Sequence, residues 1–170
     1  MHDILIVGGG MAGLTAGIYA KRAGLDTLLF EKMFAGGQIA TTYSVENYPG
    51  FDEPITGPEL AMKIENHARK FGLEILYDEV ISSKLDGKIK RVFTENSEYE
   101  AKTVILAMGA QPKTLGLPKE DNFRGRGVSY CATCDGAFYR DKRVAVVGGG
   151  DTAAGADGGC NDSAAGGSRP

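Results

Sequence analysis

Ile4-Leu5-Ile6-Val7-Gly8-Gly9-Gly10-Met11-Ala12-Gly13 decides how the chain is read. A short continuous apolar run stops at glycines. Ala12 to Ala23 then carries Leu14, Ala16, Ile18, Tyr19 and Ala20 among small residues. The pattern predicts a buried strand, a tight turn and a helix. Gly24 is placed to close that helix, and Thr27-Leu28-Leu29-Phe30 is the next strand, ended by Glu31. The span of about 30 residues is what a βαβ unit requires. Within the turn, Gly8, Gly10 and Gly13 fit G-x-G-x-x-G. The first permits the sharp turn, the second lets the backbone approach a pyrophosphate, and the third lets helix pack close to strand. Unbonded N–H groups at the helix start face the phosphates. Glu31 falls where an acid binds ribose hydroxyls. The glycine pattern alone is a weak signal; strand, helix and acid in register make it a specific one.

Moving outward, Met33 to Phe51 is a long irregular stretch with Gly36-Gly37-Gln38 and Glu46-Asn47-Tyr48-Pro49-Gly50. Gly36 and Gly37 allow close approach of a ligand, and the Gln38 and Asn47 side chains suit a flavin or ribityl group. Without other context an ordinary surface loop is the favoured explanation of the stretch. Thr56-Gly57-Pro58-Glu59 predicts a helix start with proline in the first turn. Leu60, Ile64 and Phe71 are spaced for one buried face, and Gly72 stops the helix. His67 lies on it and is given no role. Strands are expected at Leu73 to Tyr77, Val80 to Leu85 and Ile89 to Thr94, with Asp86-Gly87 as a hairpin turn. Asn96-Ser97 turns again into Tyr99 to Ala101, completing a small meander. Thr103 to Ala107 is expected as a second strongly buried strand. Ligands gather at strand carboxyl ends in such sheets, so Gly109 is placed to let backbone pass a dinucleotide; a core strand ending at a glycine accounts for it equally. Pro112 to Pro118 reads as a linker.

Beyond it stands Cys131-Ala132-Thr133-Cys134-Asp135-Gly136, two cysteines in C-x-x-C spacing with an acid next to them. This spacing lowers thiol pKa into a useful range, and exchange runs through a mixed disulfide, one cysteine attacking and one resolving. The spacing does not assign which does which. Asp135 is placed to tune thiol protonation. Gly148-Gly149-Gly150-Asp151-Thr152-Ala153, after Val144 to Val147, opens like a second dinucleotide turn. A dithiol between two such turns points to electrons passing between dinucleotides and a disulfide. The competing use of C-x-x-C is zinc, which needs four ligands in a structural site. Only Cys160, His2 and His67 remain, without motif spacing, so no metal site is expected.

Residues 1–153 resemble the low-molecular-weight thioredoxin reductases of bacteria, archaea and fungi. The likeness is carried by Gly8 to Gly13, Gly36-Gly37-Gln38, Glu46 to Gly50, Gly57-Pro58-Glu59-Leu60, the Cys131–Gly136 motif and Gly148 to Ala153. It implies a doubly wound three-layer α/β flavin-binding domain, incomplete here, followed by the stub of a second nucleotide domain. FAD is implied on the first turn and NADPH on the second. Gly8, Gly10, Gly13, Glu31, Gly37, Gln38 and Asn47 would contact FAD, with Gly109 and Ala110 near it. Cys131 and Cys134 would form a redox disulfide that passes electrons to thioredoxin or a similar small dithiol protein. Asp135 would move the proton, and Gly148, Gly150, Asp151, Thr152 and Ala153 would begin the NADPH site. Full-length relatives of this kind are homodimers. Met108 stands where the family usually has Thr. The family's basic cluster for the 2′-phosphate of NADPH and its C-terminal flavin contact have no counterpart in residues 154–170.

Composition sets the outer bounds. The 170 residues suit one ordinary domain. A net charge of −3 gives no basic footprint for nucleic acid, and no apolar run approaches the roughly 18 residues of a membrane helix. The first residues lead straight into a strand and not a cleavable signal, so a cytoplasmic location is expected. Three cysteines, two of them in C-x-x-C spacing, argue there for redox or metal chemistry over a disulfide framework. Residues 154–170 are Gly/Ala/Ser/Asp-rich and lack the large apolar residues that offset ordering entropy, so they read as coil. The domain reading is therefore 1–111 for flavin, 112–153 for linker, C-x-x-C and the start of the NADPH domain, and 154–170 as tail. Val144 to Val147 would be a strand lacking sheet partners. Two functions follow: a thioredoxin-disulfide reductase, or a non-catalytic flavin-binding fragment or interaction module with a residual dithiol. A flavin reductase without a dithiol leaves Cys131 and Cys134 unexplained.

Overall fold

The computed structural model describes residues 1–124, 126–132 and 136–149. The chain divides into two compact units, Met1–Ala110 and Gln111–Pro170. In the first, β1 (His2–Val7) leads to α1 (Met11–Arg22), β2 (Thr27–Glu31), α2 (Gly57–Lys70), β3 (Glu74–Tyr77), β4 (Ser82–Lys84), β5 (Lys90–Phe93) and β6 (Glu98–Leu106). A 3-10 turn at Gly37–Thr41 lies between β2 and α2.

The strand order is β3-β2-β1-β6-β5-β4. β1 pairs in parallel with both β2 and β6, and β2 in parallel with β3. β4, β5 and the start of β6 form an antiparallel ribbon. β6 serves both arrangements: Glu98–Ala101 pairs with β5, while Ala101 and Thr103–Leu106 pair with β1. The expected separate strands at Tyr99–Ala101 and Thr103–Ala107 are thus one strand that changes partner at Ala101.

Side-chain alternation along β1 divides the core between two faces. Ile6 joins Leu14, Ile18, Leu29, Ala68, Leu73 and Ile75 under the helices. Leu5 and Val7 join Leu28, Phe30, Val92 and Ala101 under the ribbon, where the Tyr99 ring meets Phe30 edge-on at 4.9 Å between centroids. The three-layer α/β architecture implied by the resemblance is what forms, with helices on one face and the β-ribbon on the other. β6 departs from expectation: beyond Ala101 it is only partly covered, and Leu106 is 52% exposed. No described strand flanks its second half on the side away from β1.

Both helices begin and end as their sequences direct. Thr56 caps α2, its Oγ1 accepting from Glu59 N at 3.3 Å, with Pro58 in the first turn. Leu25 N donates to Ala20 O and Gly24 N to Lys21 O, closing α1; Leu73 N to Ala68 O and Gly72 N to Arg69 O close α2. This paired pattern satisfies the last carbonyls. Phe71 is the C-cap residue and 39% exposed, so it does not extend the buried face; that face is Gly57, Leu60, Ala61 and Ala68. The Met33–Phe51 stretch is more ordered than a plain loop, because Val45 and Ile55 exchange backbone hydrogen bonds and bury with Leu60 as a small third core.

The second unit holds 3-10 turns at Glu120–Phe123 and Gly136–Tyr139. Val144–Val147 forms no strand: it has no described backbone partner, and Val147 is 66% exposed. An isolated segment gains no ladder bonds from extending.

Candidate functional site

In the parallel sheet, β1 and β2 run on to β3 on one side, and β6 lies on the other. The order therefore reverses between β1 and β6, and ligands of such sheets bind outside the strand carboxyl ends at this reversal. The glycine turn leaves β1 there, and Met108-Gly109-Ala110 leaves β6 beside it. The two are in contact: a Cβ on Gly8 would fall on the Ala107 carbonyl. Gly13 packs α1 against the turn so closely that a Cβ would fall on the Gly8 carbonyl. Gly10, the N-cap of α1, is different. The nearest heavy atom to a Cβ there is Gly37 Cα at 3.9 Å, so space lies above it.

The first turn of α1 carries amide N–H groups without intrahelical acceptors. No side chain caps it and no acid lies in it, whereas α2 is capped from within by Thr56 and has Glu59 in its first turn. α1 thus presents positive backbone dipoles toward an open glycine cradle, the arrangement that takes a phosphate. Across the cradle, Gly36 N donates to Gly9 O at 2.8 Å and Gly10 bridges Gly36 in parallel. This brings Gly37 over Gly10. A dinucleotide diphosphate fits these residues: glycine space on two sides and helix amides on the third.

Glu31 is held more firmly than expected. Its Oε2 accepts from Gly9 N at 2.7 Å and its Oε1 from Met33 N at 3.1 Å. The carboxylate therefore staples the end of β2 to the glycine turn. A carboxylate offers about four acceptor positions, so two remain for ribose hydroxyls. Gln38 and Ala110 come together directly, Gln38 Nε2 donating to the Ala110 carbonyl. Gly109 has a positive φ of 68° and open space around it, and Met108 is 67% exposed. Asn47 is exposed and makes no hydrogen bond among the described residues.

In the second unit, Cys131 is half-buried and disulfide-bonded. The other two cysteines, Cys134 and Cys160, lie outside the described residues, as do Asp135, Gly150, Asp151, Thr152 and Ala153. A sulfur in a disulfide is not a thiolate ligand, and no cluster of potential metal ligands exists among the described residues. Ser129 Oγ accepts from Cys131 N at 3.1 Å and donates to Cys131 O at 3.2 Å. Gly148 is exposed with a φ of 114°.

Two residues that sequence reasoning passed over are joined just before the cysteine. Glu120 is 7% exposed and accepts from Leu115 N at 2.9 Å, Leu117 N at 3.0 Å and the Tyr130 hydroxyl. The Tyr130 hydrogen bond, then the Leu115 amide, hold its carboxyl below the usual range, and the same bond pushes the Tyr130 hydroxyl up. No signal in Lys119-Glu120-Asp121 distinguishes this acid from a solvated one.

A dinucleotide cradle at a sheet reversal, on a chain that also carries a disulfide, is the arrangement expected of a dinucleotide-linked protein of the disulfide redox class. Residues 2–156 match the pyridine nucleotide-disulphide oxidoreductase family. The chain belongs to that family. It is 52% identical over 154 residues to a thioredoxin reductase of Bacillus subtilis, covering 90% of this chain and 48% of the relative. It is 49% identical over 153 residues to that of Mycolicibacterium smegmatis, covering 90% and 49%. Among solved structures, a thioredoxin reductase from Streptococcus pyogenes matches with a TM-score of 0.75 and 50% identity, over 83% of this chain and 46% of that one. A ferredoxin-flavin thioredoxin reductase from Clostridium acetobutylicum matches with a TM-score of 0.62 and 33% identity, over 81% and 47%. The chain spans about half the length of the curated relatives it matches. Thioredoxin reductases of this family are FAD-dependent and use NADPH, and a thioredoxin reductase-like redox role is what the relatives share. No helix among the described residues is long and apolar enough to cross a membrane.

Proposed function

We propose that this chain is the flavin-binding and dithiol-bearing part of a thioredoxin-disulfide reductase. The observation that carries the reading is the uncapped first turn of α1 opening onto the Gly10–Gly37 cradle. In this reading FAD lies with its diphosphate over Gly10, on the Met11, Ala12 and Gly13 amides. The outer lone pairs of Glu31 take the ribose, and Gln38, Asn47, Gly109 and Ala110 line the rest. Bound FAD supplies the two-electron chemistry that side chains lack.

The chain's own part in the chemistry is thiol–disulfide exchange. Cys131 pairs with Cys134, and the reduced pair attacks the disulfide of thioredoxin or a similar small dithiol protein through a mixed disulfide. The second cysteine then resolves the adduct, and Asp135 takes or returns the thiol proton. NADPH is the electron donor, met first by Gly148, Gly150, Asp151, Thr152 and Ala153. Residues 1–111 serve flavin, 112–153 carry the dithiol and begin the donor domain, and 154–170 form a tail. The molecule acts in the cytoplasm, and the whole reductase is a homodimer.

A second reading, a non-catalytic flavin-binding fragment or interaction module with a residual dithiol, is favoured by the partly covered second half of β6. In that reading the chain holds flavin without turnover, because the β6 edge open beyond Ala101 among the described residues holds FAD loosely. Titration of the purified chain with FAD, read by flavin fluorescence, tests both readings together with peptide mapping of the Cys131 disulfide. The proposal expects saturable FAD binding and a Cys131–Cys134 peptide. A disulfide mapped to Cys160, or no FAD binding, would overturn it.

A further inference from the structure

Glu120 is the one buried acid among the described residues, yet its neighbours Lys119 and Asp121 are exposed. A buried carboxylate is costly unless it is fully hydrogen-bonded. Here both oxygens are used, Oε1 by Leu115 N and the Tyr130 hydroxyl, Oε2 by Leu117 N. Lys119 adopts a left-handed conformation with φ 66°, a backbone state rare for a side chain of this size. It turns the chain so that the next carboxylate reaches back to the two amides. The Arg124 guanidinium lies 5.1 Å from the centre of the Tyr130 ring, fixing the ring's face. Tyr130 directly precedes Cys131, whose own N–H and C=O are both held by Ser129 Oγ.

We propose that Glu120 is a positioning residue for the redox cysteine: through the Tyr130 hydroxyl it fixes the backbone entering Cys131 to the Leu115–Leu117 segment. This deepens the reductase reading and rests on it for its functional meaning. The equilibrium between a disulfide and its dithiol depends on how the flanking backbone is held. The anchor accompanies the disulfide-bonded form of Cys131. Removing it withdraws support from that form and shifts the pair toward dithiol.

The test uses the complete 170-residue chain, equilibrated in glutathione redox buffers, alkylated, and read at the Cys131 peptide by mass spectrometry. Tyr130→Phe removes the hydroxyl and with it the bond, while Glu120→Gln keeps shape but leaves one carbonyl oxygen to serve three donors. Each is expected to move the equilibrium toward dithiol roughly fivefold, the worth of one net hydrogen bond. The double variant moves no further than either single one, because both break the same link. An equilibrium within about twofold of the parent in both variants, or additive shifts in the double, would overturn the proposal. Should Glu120→Gln fail to fold, Tyr130→Phe alone reads the link. The measurement uses neither FAD nor NADPH. Failure of FAD to bind would therefore sink the reductase reading without touching this result, and an unchanged equilibrium would sink the anchor without touching that reading.

Discussion

Gly10→Ala separates the fold from the phosphate site. Gly10 sits at φ −73° and ψ −177°, ordinary extended backbone that alanine adopts. Its added Cβ meets nothing nearer than Gly37 Cα at 3.9 Å, so the empty fold does not resist it. Alanine is a poorer N-cap than glycine by up to about 1 kcal/mol. The loss of unfolded-chain freedom returns about 0.4–1 kcal/mol. The net change stays within about 1 kcal/mol, a melting shift under about 4 °C for a chain of this length. Binding is another matter, since the methyl occupies the space where a diphosphate approaches the α1 amides. Losing one charge-assisted amide–phosphate hydrogen bond costs about 1.5–3 kcal/mol, or roughly 10- to 100-fold in FAD affinity. Thermal melts by circular dichroism and FAD titrations by fluorescence quenching are run on parent and variant. A variant that melts normally and binds FAD within about threefold of the parent would refute the placement of the diphosphate over Gly10.

Gly13→Ala is expected to do the opposite: its Cβ falls on the Gly8 carbonyl, so stability drops by about 1–3 kcal/mol, and a urea midpoint equal to the parent's would contradict that packing. Glu31→Ala frees the Gly9 and Met33 amides and is expected to cost about 1–3 kcal/mol even without ligand, read as a lower urea midpoint of the flavin-free chain. Thr56→Ala removes the α2 cap and about 1 kcal/mol, with FAD affinity unchanged and Thr56→Ser restoring stability. The folded Glu120 carboxyl titrates below its ordinary 4.5. Its contribution is therefore complete above that value and lost as pH falls through the lower folded value. The melting difference between the parent and Glu120→Gln should accordingly shrink on acidification from pH 4.5; a pH-independent difference would show the carboxylate's charge to be irrelevant.

The first βαβ unit was legible because three local signals agree there: an apolar run, glycines at the turn, and an acid closing the next strand. The start of α2 was equally plain from Thr56 and Pro58. β6 differs from the two expected strands for a physical reason. Its first half alternates as a solvated ribbon and its second half is continuously apolar, as a central parallel strand is. The change of pattern looks like a break but marks a change of partner at Ala101. Phe71 has helical spacing, yet the helix ends before it and the ring turns outward. The meeting of Gln38 with Ala110 spans 72 positions and leaves no trace in local pattern. Spacing marks Glu31 only as a ribose ligand; its bond to Gly9 N depends on tertiary closeness of β1 and β2 that spacing does not state. Glu120 was hidden because a carboxylate between lysine and aspartate has the composition of a solvated turn.

The central claim is that an isoalloxazine-bearing dinucleotide occupies the cradle at the β1–β6 reversal. The most direct measurement is the absorbance spectrum of the purified chain equilibrated with FAD, freed of excess ligand, and then mixed with NADPH. The account predicts a flavin band that is retained weakly, is diminished in Gly10→Ala, and bleaches little with NADPH. A chain that retains no flavin after equilibration with saturating FAD and removal of the excess would contradict the cradle. Tight stoichiometric flavin with rapid NADPH oxidation would contradict the second reading, in which the chain binds flavin without turnover.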